Sequence, residues 1–116
     1  RKNDETTEAQ RQVFTTAYRA GVPLVYGTDA AVYPHGWNAR QFRYMVERGM
    51  KPMDAIKAAT SVAARFMGWD DRVGALAPGR FGDLIAVRGD PLQDITLLES
   101  VPIVIKGGLI FKYQIQ

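Results

Sequence analysis

The sequence of 116 residues has no cysteine and a single histidine, His35. Without cysteine, the chain has no disulfide framework, no thiolate metal site and no cysteine nucleophile, and its redox compartment stays undetermined. A catalytic zinc ion takes about three protein ligands from His, Cys, Asp and Glu. A chain with one histidine and no cysteine is therefore not expected to assemble such a centre unaided.

Long apolar runs are also missing. No run approaches the ~18 to 20 residues that cross a bilayer, and no basic-then-apolar leader begins the chain. Because the first residue is arginine and not methionine, we expect this chain to be a piece of a longer protein. Whether that longer protein begins with a leader is not determined by these residues. Fifteen Lys and Arg against twelve Asp and Glu leave a charge of +3, and the signs alternate along the chain. This pattern is typical of a solvated surface and predicts neither a nucleic-acid nor a membrane partner.

The residues that are present predict a globular chain with helices in its first half. The composition is 47% hydrophobic, which at this length is enough for a packed core. Apolar residues at helical spacing predict helices over 4–20, 39–48 and 52–67. Asn38 is the expected N-cap of the second helix, and Pro52 suits the first turn of the third.

A short apolar run over 22–26 predicts a strand covered on both faces, as in a parallel sheet. Helix, strand and helix in this order repeat around a (β/α)8 barrel, and they also occur in open doubly wound sheets. In both folds the chemistry lies at the C-terminal ends of the strands, and Asp29 comes just past this end. An aspartate there more often forms an Asx turn or caps a helix, and His35 in its Tyr-Pro-His-Gly turn is more often a solvated loop residue.

From Trp69 onward the helical period disappears, and glycine and proline separate short apolar runs. Strands are predicted over 84–87, 101–106 and 109–113. Gly107-Gly108 joins the last two as a type I′ hairpin, because both central residues of that turn need positive φ. The boundary near residues 68 to 73 divides the chain into two segments, 1–68 and 69–116.

Several motifs occur in an order that matches a known family. They are "GTDA" after the predicted strand, "YPHG", "NARQF", "KPMDAIKAATSVAARFMG", "GALAPGRFGDLIAVRGDPLQDI" and "VIKGGLIF". Together they resemble the C-terminal part of metal-dependent amidohydrolases, near the group of imidazolonepropionase-like enzymes and Xaa-Pro or Xaa-Arg dipeptidases. The most specific part is a Gly-x-Leu-x-Pro-Gly-x-x-Ala-Asp-Leu pattern, in which Gly82 stands where the family usually has alanine.

The resemblance implies an α/β fold. Residues 1–68 would be the last strand and flanking helices of a (β/α)8 TIM barrel, and residues 69–116 the C-terminal strands of a small composite β-sandwich. It also implies one or two divalent metal ions, with zinc expected. Asp29 would be a metal ligand and would take a proton from the activated water, while His35 would face the substrate. The family's other metal ligands lie outside these 116 residues.

The sequence therefore predicts a hydrolase that cleaves an amide bond in a dipeptide, an N-acyl amino acid or a cyclic amide, and whose 116-residue part is inactive alone. The alternative is a non-catalytic assembly module that pairs with another chain through exposed strand edges. A homo-oligomer, or pairing with the missing N-terminal part, is expected. The sequence does not specify the substrate or the number of metal ions, and it favours a cytoplasmic location only slightly over export.

Overall fold

The structure is a computed structural model that describes residues 2–31 and 34–115, and their side chains from residue 7 onward. Four α-helices precede a small sheet. The elements are α1 (Lys2–Arg19), α2 (Arg40–Glu47), α3 (Pro52–Ala59), α4 (Ser61–Phe66), β1 (Leu84–Ala86), a 3-10 helix (Ile95–Glu99), β2 (Ile103–Lys106) and β3 (Leu109–Tyr113). None of the described helices is both long and apolar enough to cross a membrane.

The third predicted helix, 52–67, is two helices in the structure. They meet at Thr60, whose φ of −128° and ψ of −96° lie outside the helical region. Gly74 packs into this break, because a Cβ atom at Gly74 would lie 2.6 Å from the Cβ of Ala64 and 2.9 Å from the carbonyl oxygen of Thr60. Only glycine allows the chain after α4 to approach this closely. The apolar stripe of 52–67 gave no sign of a contact with a residue so far along the chain.

The predicted N-cap of the second helix is wrong. Helix α2 begins at Arg40, and its cap position is Ala39, which has helical dihedral angles and makes no side-chain cap hydrogen bond. Asn38 lies one residue earlier, and its side chain bonds to residues 28 and 36 instead.

The predicted strand over 22–26 is not part of a sheet in the structure. Residues 22–29, which we call the connecting segment, have no regular secondary structure. The backbone N–H of Tyr26 donates to the carbonyl oxygen of Ala58 at 3.0 Å, which attaches the segment to α3. A strand needs the backbone of a neighbouring strand, and the described residues offer the segment no parallel neighbour.

Strands β1, β2 and β3 form an antiparallel sheet in that order. Lys106 pairs with Leu109, and the two residues between them, Gly107 and Gly108, have φ values of 57° and 77°. The predicted hairpin with two left-handed glycines is therefore confirmed. The turn is held against the start of β1, because the N–H of Gly108 donates to the carbonyl oxygen of Gly82 at 2.9 Å.

Gly82 is explained by this contact. A Cβ atom at Gly82 would lie 2.9 Å from the backbone nitrogen of Gly108, closer than real Cβ atoms come to a backbone atom. The neighbouring Asp83 accepts a hydrogen bond from the N–H of Gly107 at 2.7 Å. The hairpin and the Gly82-Asp83 pair therefore form one local unit.

The core of the described residues lies where α1, α2, α3 and the connecting segment meet. Its buried members are Met45, Met50, Ala55 and Ala58, and partly buried aromatic and aliphatic side chains pack against them. A second buried pair, Ile95 and Leu98, lies in the 3-10 helix, which packs against α2. Helix α2 therefore lies between the connecting segment and the C-terminal part of the chain.

Candidate active site

Asp29 ends the connecting segment in an unusual backbone conformation. Its φ is 46°, and it is the one non-glycine residue with positive φ among those that the structure describes. The side chain is exposed and makes no hydrogen bond or ion pair with another described residue. It caps no helix, since α2 begins only at Arg40. The carboxylate is thus presented to the outside of the described structure, where a ligand could reach it.

The residues before Asp29 are held by Asn38, two residues before α2, and by Gln41 in its first turn. The side-chain amide nitrogen of Asn38 donates to Thr28 Oγ1, and that of Gln41 donates to the carbonyl oxygen of Gly27, both at 3.0 Å. The hydroxyl of Tyr26 donates to the carbonyl oxygen of Asn38. Three consecutive residues of the connecting segment are therefore hydrogen-bonded to residues 38–41.

An aromatic contact anchors the same region from the core side. The ring centroids of Tyr26 and Phe42 are 4.5 Å apart, with the ring planes inclined at 34°. Tilted aromatic pairs at this distance add to the stabilisation that burial provides. The segment that carries Asp29 is therefore fixed by packing on one side and by side-chain amides on the other.

These contacts connect the motifs "GTDA" and "NARQF". From the sequence, only their order along the chain was known. Asn38, Gln41 and Phe42 belong to "NARQF", and each contacts one of the three residues before the aspartate of "GTDA". The sequence assigned Asn38 to a helix cap and gave Gln41 no role. One sequence signal could have indicated these contacts. Two amide side chains lie at or next to the first turn of a helix, and that helix follows a loop that carries candidate site residues.

His35 lies in a turn before α2 and is exposed. The neighbouring N–H of Gly36 donates to Asn38 Oδ1 at 3.1 Å, and the N–H of Trp37 donates to the carbonyl oxygen of Pro34 at 3.3 Å. No hydrogen bond joins His35 to Asp29. Substrate contact by His35 and metal binding by Asp29 both stay predictions.

The described residues do not bring together a complete set of metal ligands. Within residues 2–31 and 34–115, no three His, Cys, Asp or Glu side chains are close enough to hold one ion. The exposed carboxylate of Asp29 is of the chemical type that divalent cations bind, so it fits the part of one ligand among several.

Comparison with known proteins identifies the family. The sequence model of the amidohydrolase family matches residues 1–110. Ochratoxinase from Aspergillus niger is 38% identical over 110 residues, which are 90% of this chain and 22% of that protein. The crystal structure of a Xaa-Pro dipeptidase with bound methionine in the active site superposes with a TM-score of 0.85 at 45% identity, over 88% of this chain and 25% of that one.

A putative prolidase from Bifidobacterium longum superposes with a TM-score of 0.79 at 30% identity, over 89% of this chain and 26% of that one. The chain thus spans about a quarter of the length of these relatives, between 22% and 26%. The resemblance that the motifs indicated is confirmed across nearly the whole sequence. The chain belongs to the amidohydrolase family.

Proposed function

We propose that the full-length protein containing this chain is a metal-dependent hydrolase of amide bonds, in which Asp29 is a metal ligand and the proton acceptor. Family membership supports the reaction class, because proteins of similar sequence include a Xaa-Pro dipeptidase, a putative prolidase and an ochratoxinase. The observation that carries the role of Asp29 is its exposed carboxylate at positive φ, which follows three residues anchored to Asn38 and Gln41.

The proposed substrate is a dipeptide, an N-acyl amino acid or a cyclic amide. A divalent metal ion, one or two in number and with zinc expected, would lower the pKa of water and polarise the carbonyl group of the substrate. A carboxylate beside a cation stays ionised at neutral pH, because the positive charge favours the charged form. An oxygen of Asp29 can then accept the proton of the attacking water and deliver it to the nitrogen of the leaving amine.

The remaining parts of the proposal are supported by membership of the amidohydrolase family. His35 would contact the substrate from the turn before α2. The connecting segment would be the last strand of a (β/α)8 barrel formed with residues outside this chain, and residues 1–68 would be barrel. Residues 69–116, with β1 to β3, would belong to a composite β-sandwich. Since further metal ligands must come from elsewhere, the 116-residue chain alone would be inactive.

The first test replaces Asp29 by asparagine in the full-length protein. Asparagine keeps the size of the side chain and tolerates a left-handed backbone, but it has no charge and cannot accept the proton. We expect kcat for a panel of dipeptides and N-acyl amino acids to fall roughly 10²- to 10⁴-fold, with the melting temperature nearly unchanged. Bound metal, measured by plasma mass spectrometry, should also decrease.

The matched control is Asp70→Asn, which removes an exposed carboxylate in the turn after α4. This variant should hydrolyse the panel like the wild type. Near-normal turnover by Asp29→Asn would contradict the catalytic assignment. A wild-type protein that hydrolyses no member of the panel, and that holds no metal, would favour the assembly-module alternative.

A further inference from the structure

The side chain of Asn38 links the two candidate site positions. Its Nδ2 donates to Thr28 Oγ1 at 3.0 Å, and its Oδ1 accepts from the N–H of Gly36 at 3.1 Å. Thr28 directly precedes Asp29, and Gly36 directly follows His35. One planar amide therefore connects the end of the connecting segment with the turn that carries the histidine.

Asn38 is itself held firmly. Its side chain is half-buried, and its backbone carbonyl oxygen accepts the hydrogen bond from the hydroxyl of Tyr26. Helix α2 starts two residues later, and Phe42 in its first turn packs on the ring of Tyr26. The amide that joins the two positions therefore has little freedom to move relative to the core.

An amide is the side chain that makes both bonds at once. It offers a donor and an acceptor on one rigid plane, whereas alanine offers neither. A hydroxyl acceptor at residue 28 and a backbone N–H donor at residue 36 are complementary to these two ends. This pair of bonds needs both a donor and an acceptor, and the asparagine side chain supplies them. A helix cap needs only an acceptor, which several other side chains also supply.

We propose that Asn38 is a positioning residue, which fixes the carboxylate of Asp29 relative to His35 so that both reach one substrate. This inference rests on the proposed function, because it assigns Asn38 a part in the same reaction. Reacting groups misplaced by about 1 Å can cost as much as 10²-fold in rate, so a link between two such groups acts on catalysis without touching the substrate.

The test compares two single variants and their combination in the full-length protein. Asn38→Ala removes both bonds, so we expect kcat to fall about tenfold and KM to rise several-fold. Thr28→Val removes the hydroxyl on the Asp29 side alone, so kcat should fall with KM unchanged. The double variant should lose less kcat than the product of the two single losses, because both changes remove the bond between Asn38 and Thr28. Thr16→Val, an exposed position on α1, is the control and should match the wild type.

Hydrogen exchange gives a readout that does not depend on activity. Peptides covering residues 34–37 should exchange faster in Asn38→Ala, because the N–H of Gly36 loses its acceptor, and should be unchanged in Thr28→Val. If Asn38→Ala does not fold, the selective loss of kcat in Thr28→Val carries the test alone.

Two results would overturn the inference. The first is a normal kcat and KM in Asn38→Ala despite faster exchange, which would leave Asn38 a purely structural role. The second is full additivity of the two single variants in kcat. If the wild type hydrolyses no amide, the proposed function fails separately. Hydrogen exchange would then still test the bond between Asn38 and Gly36. Unchanged exchange in Asn38→Ala would overturn that bond, and faster exchange would support it.

Discussion

The positive φ of Asp29 restricts which residues can take its place. For most L-residues, a left-handed conformation costs about 1–2 kcal/mol relative to the right-handed one, while aspartate and asparagine adopt it more readily. An alanine variant would therefore combine loss of charge with a backbone cost, and the asparagine variant separates them. From the preceding apolar run, the sequence predicted that Asp29 lies just past the end of a strand, but the structure has no strand there. Its φ could not be predicted, because Thr28 and Gly27 before it are held by Asn38 and Gln41, which lie ten or more residues later in the sequence.

Gly107 allows a second prediction about a single backbone angle. Its φ is 57°, and no atom lies within 4 Å of a Cβ atom built there, so a substitution acts through conformation alone. Gly107→Val should lower the free energy of unfolding by about 1–2 kcal/mol, because a β-branched residue resists positive φ. Gly107→Asn, which tolerates this region, should lose clearly less. Chemical unfolding of both variants checks this, and equal stabilities would mean that the turn does not require positive φ.

At the scale of elements, local patterns were predicted well and distant contacts were not. The helices and the Gly107-Gly108 hairpin were found because periodicity and turn residues lie within a few positions of one another. The break at Thr60 was missed because Gly74, the residue packed against it, lies fourteen positions later. The strand over 22–26 was predicted from its apolar residues, but the described residues offer this segment no neighbouring strand. The amide of Asn38 looked like a cap because its partner at Thr28 lies ten residues earlier.

The contact between α1 and α3 predicts a pH effect. The hydroxyl of Tyr18 donates to Asp54 Oδ2 at 2.7 Å, and it accepts from the N–H of Lys51 at 3.2 Å. The hydrogen bond to Asp54 raises the pKa of Tyr18, and the bond from Lys51 opposes this. The folded state therefore holds the phenolic proton more tightly than the unfolded state. Its stabilisation is complete below the unfolded pKa of about 10 and is lost as pH rises through the raised folded pKa.

We expect Tyr18→Phe to lower the free energy of unfolding at pH 7 to 9, with the difference from the wild type shrinking above about pH 10. Unfolding by urea at several pH values measures this difference. Tyr44→Phe, at an exposed tyrosine of α2, is the matched control for the loss of a hydroxyl. A difference between Tyr18→Phe and the wild type that grows with pH would contradict the assignment of the bond.

At the scale of the whole molecule, the chain covers little of its apolar surface. Its radius of gyration is 15.6 Å, above the roughly 13 Å of a compact domain of about this length. Every residue of β3 is exposed, including Phe111 at 68%, and Val22, Val25 and Phe66 line a cavity of about 450 Å³ beside the connecting segment. Such surfaces are typical of a part that packs against further chain.

The isolated 116-residue chain is therefore expected to associate with itself. Strand β3 is at the edge of the sheet, and an apolar edge strand pairs readily with a second copy. Light scattering should show a dimer or larger species whose fraction rises with concentration. Phe111→Lys should reduce it, because a charge on an edge strand opposes pairing. Val13→Lys, at an equally exposed position on α1, should not. A wild-type chain that stays monomeric at high concentration would contradict this prediction.

The place of α2 between the connecting segment and the 3-10 helix has a consequence for how the protein can be divided. Asn38, which holds Thr28, lies two residues before α2, and α2 forms an ion pair with the C-terminal part through Arg43 and Glu99 at 3.7 Å. Dividing the chain near residue 68, at the boundary that the sequence predicts, would remove the 3-10 helix. That helix packs against α2 and so supports the region that orients Asp29. Under the proposed function, changes in the 3-10 helix should therefore alter turnover through α2, so the C-terminal part and α2 are expected to be exchangeable between relatives only as a pair.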